Sequence, residues 1–115
     1  MDMDMERILR LYTRLKGLRD NLPKGYETNE KYTNEYNSLV DALSTSSGSD
    51  LSEYKVPQSE IKPSVTGVIG GVTQYSNDRW TERTLLLTKL DAILSYFSIK
   101  YSSDSKHRIG FELPE

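Results

Sequence analysis

The amino-acid sequence predicts a mainly all-α fold: a three-helix bundle with a short helical turn and a possible small β-hairpin between the second and third helices. Three segments carry apolar residues at the spacing of one helix face. The chain has 115 residues, of which 36% are hydrophobic and 28% charged. This is enough for one core and too little for two, so we expect residues 1–115 to form a single domain.

The first predicted helix covers about residues 4–21. Its apolar positions are Ile8, Leu11, Leu15, Leu18 and Leu22. They recur at intervals of three and four residues, which places them on one helix face. Pro23 and Gly25 then predict the end of the helix.

The second predicted helix begins after Thr28 or Asn29, either of which can cap a helix start. Its apolar arc contains Tyr32, Tyr36, Leu39, Val40 and Leu43. Residues 44–49 are rich in serine, whose hydroxyl competes for backbone hydrogen bonds, and this predicts a connector. Single helical turns are predicted near residues 51–54 and after Pro57.

Residues 62–76 are rich in glycine, valine and threonine and predict either a hairpin or a loop. In the hairpin alternative, Val65–Val68 would pair with Val72–Tyr75 across Ile69–Gly71. The glycines superficially resemble a phosphate-binding loop, but the segment lacks the lysine and hydroxyl of a P-loop and does not open directly into a helix.

The third predicted helix runs from Asn77 or Asp78 to about Tyr101. Its main apolar arc is Trp80, Leu86, Leu87, Leu90, Ile93, Leu94, Phe97 and Tyr101. A second cluster, Leu85, Ala92, Tyr96 and Ile99, lies on another side of the helix. A helix that is apolar on two sides is either central in a bundle or committed to another chain, so this cluster is a candidate partner interface.

Residues 102–115 form a polar tail. Ile109, Phe111 and Leu113 alternate within it, which indicates either a short strand or an unstructured end. His107, the single histidine, lies there between Lys106 and Arg108, and we interpret it as a solvated surface side chain.

Composition restricts the function classes. The net charge of −2 and the pI near 5.5 supply no overall attraction to nucleic acid, and the lack of cysteine excludes thiol catalysis and thiolate metal sites. We expect no cofactor and no bound metal. The acidic N-terminal residues and the lack of a long apolar run predict a cytoplasmic protein without a membrane span.

Two parts of the sequence together resemble an uncharacterised prokaryotic helical module, often a leading region of longer proteins. They are residues 32–43, of the form YxxEYNxLVDxL, and residues 50–57, of the form DLSxYxVP. The resemblance covers about half the chain and includes residues 88–97. It implies association or docking and no assigned chemistry.

The sequence therefore favours a non-enzymatic protein–protein interaction or self-association module, with a homodimer as one form. The alternative is binding of nucleic acid or an anionic ligand through Arg7, Arg10 and Arg14, with Lys16 and Arg19 as further candidates. An enzyme is the weakest hypothesis. Its site would draw on Arg79, Trp80, Glu82 and Arg83, among which no nucleophile and base can be paired.

Overall fold

The structure, a computed structural model, describes residues 3–102. Its elements in chain order are α1 (Met3–Asp20), β1 (Glu27–Asn29), α2 (Glu30–Ser47), two 3-10 turns (Ser52–Tyr54 and Gln58–Glu60), β2 (Lys62–Ile69), β3 (Val72–Glu82) and α3 (Arg83–Ser102). The three strands form one antiparallel sheet in the order β1-β3-β2.

The predicted all-α three-helix bundle is wrong, because the described part of the chain has a mixed α/β arrangement in which 22% of the residues lie in strands. The error lies at residues 77–82, where the capping signals predicted the start of the third helix. In the structure these residues end β3, in which Thr81 pairs with Thr28 of β1 and Trp80 pairs with both Asn29 and Lys62. Pairing with strands distant in sequence outweighs the local helix signals, and α3 begins only at Arg83.

The hairpin between α2 and α3 is longer and more tightly turned than predicted. Ile69 pairs with Val72, so the turn consists of Gly70 and Gly71 alone. Their φ angles are 58° and 81°. A two-residue turn with positive φ at both positions is the type I′ turn, whose twist matches that of paired strands.

The hydrophobic core lies between the helices. α1 begins and ends within one residue of its predicted bounds, and Asn29 caps α2 as expected, its side chain accepting from the Lys31 N–H at 2.9 Å. α2 extends into the predicted connector as far as Ser47, and Gly48, whose φ is 72°, caps its C-terminus. The fully buried large side chains include Tyr12, Leu15, Tyr36, Leu43, Leu86, Leu90, Ile93 and Phe97.

Side chains of α2 form hydrogen bonds to the backbone of the segment that follows the helix. Asn37 donates through Nδ2 to the Val56 carbonyl at 3.1 Å and accepts from the Val56 N–H at 2.9 Å. The Tyr36 hydroxyl donates to the Tyr54 carbonyl at 2.6 Å, and burial raises the pKa of Tyr36. The two parts of the sequence that carry the resemblance are thus in direct contact, and these polar residues have structural roles.

The predicted features of the tail lie outside the described residues. These are residues 103–115, with His107 and the alternating Ile109, Phe111 and Leu113.

Candidate interaction surface

The part of the hairpin formed by residues 64–78, here called the hairpin arm, is exposed. From Lys62 to Trp80 none of the residues is buried. The arm carries five of the seven exposed large hydrophobic residues in the described part of the chain. They are Val65, Val68, Ile69, Val72 and Tyr75, with exposed fractions of 61%, 65%, 72%, 61% and 61%.

Both faces of the arm carry apolar side chains. Val65 pairs with Tyr75 and Val68 with Thr73, and cross-strand partners share a face. Because side chains alternate along β3, Val65, Val68 and Tyr75 lie on one face, while the Ile69–Val72 pair lies on the other. The apolar surface therefore surrounds the tip of the arm.

The arm is also almost free of charge. Residues 64–77 include no Asp, Glu, Lys or Arg, although 28% of the whole chain is charged. At that frequency, about four charged residues would be expected in a surface segment of this length. Exposed strands usually carry charges, lysine above all, that discourage pairing with other chains. The arm has none up to Asp78.

The base of the arm is fixed to the rest of the protein. Arg79 donates to the Ile61 carbonyl at 3.1 Å, and the Trp80 indole N–H donates to the Pro63 carbonyl at 3.3 Å. The ring of Trp80 lies 5.7 Å from that of Tyr26, and the Lys62 ammonium lies 5.5 Å from the Trp80 ring centre. The arm therefore starts from an ordered platform.

Below this platform, buried hydroxyls join the sheet to α2. The hydroxyl of Thr33 donates to that of Thr81 at 2.9 Å, and both residues are buried. On the exposed face, the Tyr26 hydroxyl donates to the Glu82 carboxylate, which raises the pKa of Tyr26. These contacts fix the end of β3 between β1 and the helices.

The edges of the arm differ. β2 is an edge strand along its whole length, because the sheet order is β1-β3-β2. On the other side, β1 pairs with β3 only at Trp80, Thr81 and Glu82. The register is irregular on both strands. Three residues of β3 lie between Tyr75 and Arg79, whereas only Ser64 lies between the β2 residues that pair with them. On β2, Thr66 forms a bulge.

The four residues of the predicted interface on α3 differ in how far the fold buries them. Leu85 and Tyr96 are half-buried and pack against the core, and Tyr96 lies 5.9 Å from the ring of Tyr54. Ala92 and Ile99 are exposed, Ile99 by 65%. The first 3-10 turn thus covers part of this side of α3, and a role for the four residues in binding a partner stays a prediction.

The predicted basic stripe lies on the exposed side of α1. Arg7, Arg10 and Arg14 are all exposed, but Glu6 forms an ion pair with Arg10 at 2.8 Å. An acidic side chain within the stripe reduces its attraction for anions. Anion binding there stays a prediction.

The two remaining candidates, Lys16 and Arg19, line a cleft of about 390 Å³ between α1 and α3. Arg19 forms an ion pair with Asp91 across this cleft, and the hydrogen bond between them raises the pKa of Arg19. Asp20 and Asp91 line the same cleft, so its basic side chains lie near acidic ones.

The residues of the enzyme hypothesis take part in structural contacts. Arg79 binds the Ile61 carbonyl, Arg83 binds the Pro23 carbonyl at 2.9 Å, and Glu82 accepts from Tyr26. Within residues 3–102, no three metal-ligating side chains converge. In the same range, the helices are too short or too polar to cross a membrane.

In comparisons with protein-family models, curated proteins and solved structures, no match to this chain is found. The resemblance to a prokaryotic helical module therefore stays a prediction.

The hairpin arm was missed as a functional surface, although the sequence contains its signal. The prediction for residues 62–76 was a hairpin or a loop, with no surface role for the apolar residues of this segment. In a hairpin, such a segment exposes apolar side chains unless another layer covers it. The uncharged run from Ser64 to Asn77 was the available evidence.

Proposed function

We propose that this protein is a non-enzymatic protein–protein interaction module and that the hairpin arm is the element that contacts the partner. The observation that carries the proposal is the exposure of Val65, Val68, Ile69, Val72 and Tyr75 within a run of residues, 64–77, that carries no charge. Monomeric soluble proteins rarely expose contiguous apolar surface beyond a few hundred Å², and larger patches mark sites of interaction.

The separation of the buried core from the hairpin arm supports this proposal. The helices and the base of the sheet contain the buried core, whereas the arm contributes no buried residue. A segment that adds little to the core but exposes large apolar side chains lowers solubility without stabilising the fold. A binding role accounts for its composition.

Site-specific photo-crosslinking in living cells tests the proposal. A benzophenone amino acid replaces Tyr75 on the arm, and in matched control variants it replaces Ile99 or Thr84 of α3, which are both exposed. We expect a discrete protein adduct of higher mass from position 75 and a clearly weaker one from position 84. The variant at position 99 compares the arm directly with the interface predicted on α3.

If position 75 gives no adduct above the level seen at position 84, the arm does not contact a protein partner. A strong adduct from position 99 alone would assign the interface to α3 instead.

A further inference from the structure

We infer that the partner of the hairpin arm is the arm of a second copy of this chain. In this dimer the outer edge of β2 pairs antiparallel with the same edge of the other copy, and the two three-stranded sheets join into one of six strands. The inference rests on the proposed function and names the partner at the same surface.

The outer edge of β2 offers unpaired backbone groups close to the tip. In a two-residue hairpin, Ile69 and Val72 exchange both backbone hydrogen bonds, so the N–H and C=O of Val68 point away from β3. The bulge at Thr66 restricts regular pairing to residues 67–69. We therefore place the two-fold axis at Val68.

The edge of β3 is less suited to pairing. β1 occupies its base, and the irregular stretch between Tyr75 and Arg79 includes the charged Asp78. The Ser76 hydroxyl accepts from the Asp78 N–H at 3.0 Å, which uses one backbone donor of this stretch locally. Short, irregular and charged edges are those that resist strand addition.

The charge of the arm favours an identical partner. In an interface around a two-fold axis, the residues close to the axis lie near their own copies, so a charged residue there would meet a like charge. Residues 64–77 carry no charge, and this source of repulsion is absent from the paired arms.

The available area fits a weak dimer. The five exposed apolar side chains of one arm present on the order of 500 Å², and two arms together about 1,000 Å². Pairing edge to edge buries only part of this area, which places the dimer below the size of a stable specific interface. An isolated two-stranded hairpin is marginally stable in water, whereas a sheet of more strands is stable. Pairing thus adds two strands to each arm, and we expect it to depend on protein concentration.

Disulfide trapping with two single-cysteine variants tests this geometry. The chain has no cysteine, so each variant contains one thiol. Val68 and Thr73 are cross-strand partners and both are exposed, which makes Thr73→Cys the matched control for Val68→Cys.

The two positions differ in their distance from the axis. Pairing at Val68 brings its two Cα atoms to about 5.5 Å, within the range for a disulfide. The two Thr73 copies would be three strand spacings apart, about 14 Å, which is too far for a disulfide.

The purified variants are oxidised mildly at concentrations where the wild type associates, and the disulfide-linked dimer is quantified by non-reducing electrophoresis. We expect about ten-fold more dimer from Val68→Cys than from Thr73→Cys, because only the first pair meets the distance limit. Circular dichroism before oxidation checks that both variants fold.

Three outcomes would overturn the inference. Equal yields would indicate packing of one arm face on another, and a higher yield from Thr73→Cys would indicate pairing through β3. No dimer from either variant, together with an adduct between position 75 and a different protein, would overturn self-pairing and leave the proposed function standing. If position 75 also gives no adduct, the proposed function fails as well.

Discussion

Asn37 shows why a residue that looks like part of a recognition pattern has a structural role. Its amide bonds both backbone groups of Val56, so one side chain replaces two hydrogen bonds that a neighbouring strand would otherwise supply. The contact joins α2 to the segment between the two 3-10 turns. This hydrogen bonding gives Asn37, a polar residue of the sequence pattern, a structural role.

Replacing Asn37 by alanine should therefore destabilise the protein. The change leaves the Val56 N–H and C=O without these partners in a partly buried position, and we expect a loss of about 1–3 kcal/mol in the free energy of unfolding. Urea denaturation followed by circular dichroism measures it. Asn34→Ala, at an exposed position one turn earlier in α2, serves as control and should change the free energy by less than about 0.5 kcal/mol. Equal effects of the two substitutions would contradict this role of Asn37.

At the scale of elements, the turn of Gly70 and Gly71 determines the shape of the arm. Gly70→Val should disorder the tip of the arm, because a β-branched residue is strained at a φ of 58°. The control Gly70→Asn should be tolerated, because asparagine adopts positive φ more readily. Hydrogen exchange measures the difference. We expect roughly ten-fold faster exchange of the arm amides in Gly70→Val, as a strain of about 1–2 kcal/mol implies, with unchanged exchange in α1 and α2. Slow exchange in both variants would show that the turn does not control the arm.

The elements also show what the sequence can and cannot predict. The bounds of α1 follow from the apolar stripe from Ile8 to Leu22, and the start of α2 follows from the capping side chain of Asn29. Each signal lies within or next to the helix that it predicts. The end of β3 depends on Thr28 and Lys62, which are distant in sequence, so the local signals at Asn77 and Asp78 led to a wrong helix. β1 has only three residues and was missed for the same reason.

The candidate interaction surface was likewise only partly predictable from the sequence. Helical periodicity predicts an apolar surface on α3, formed by Leu85, Ala92, Tyr96 and Ile99. The cover that Tyr54 provides over Tyr96 depends on how the segment after α2 folds back, which periodicity does not encode. The hairpin could be recognised from Gly70 and Gly71, and the uncharged run from Ser64 to Asn77 indicates an apolar surface on it. Whether another layer covers that surface depends on how the helices pack, which the sequence pattern does not give.

At the scale of the whole molecule, the protein consists of a helical core with a sheet base and an exposed arm that adds no core residue. This separation means that substitutions on the arm should change association while leaving the stability of the core unchanged. Val68→Lys is the sharpest such change, because it places two like charges at the proposed axis without altering a buried residue. Its unfolding transition should match that of the wild type.

Sedimentation equilibrium over a range of concentrations, comparing the wild type with Val68→Lys, tests the central claim most directly. The chain has a mass of 13.2 kDa. The account predicts that the weight-average mass of the wild type rises with concentration towards twice that value, while Val68→Lys stays at the monomer mass. A wild type that remains monomeric at every concentration, or a Val68→Lys variant that associates as strongly as the wild type, would contradict it.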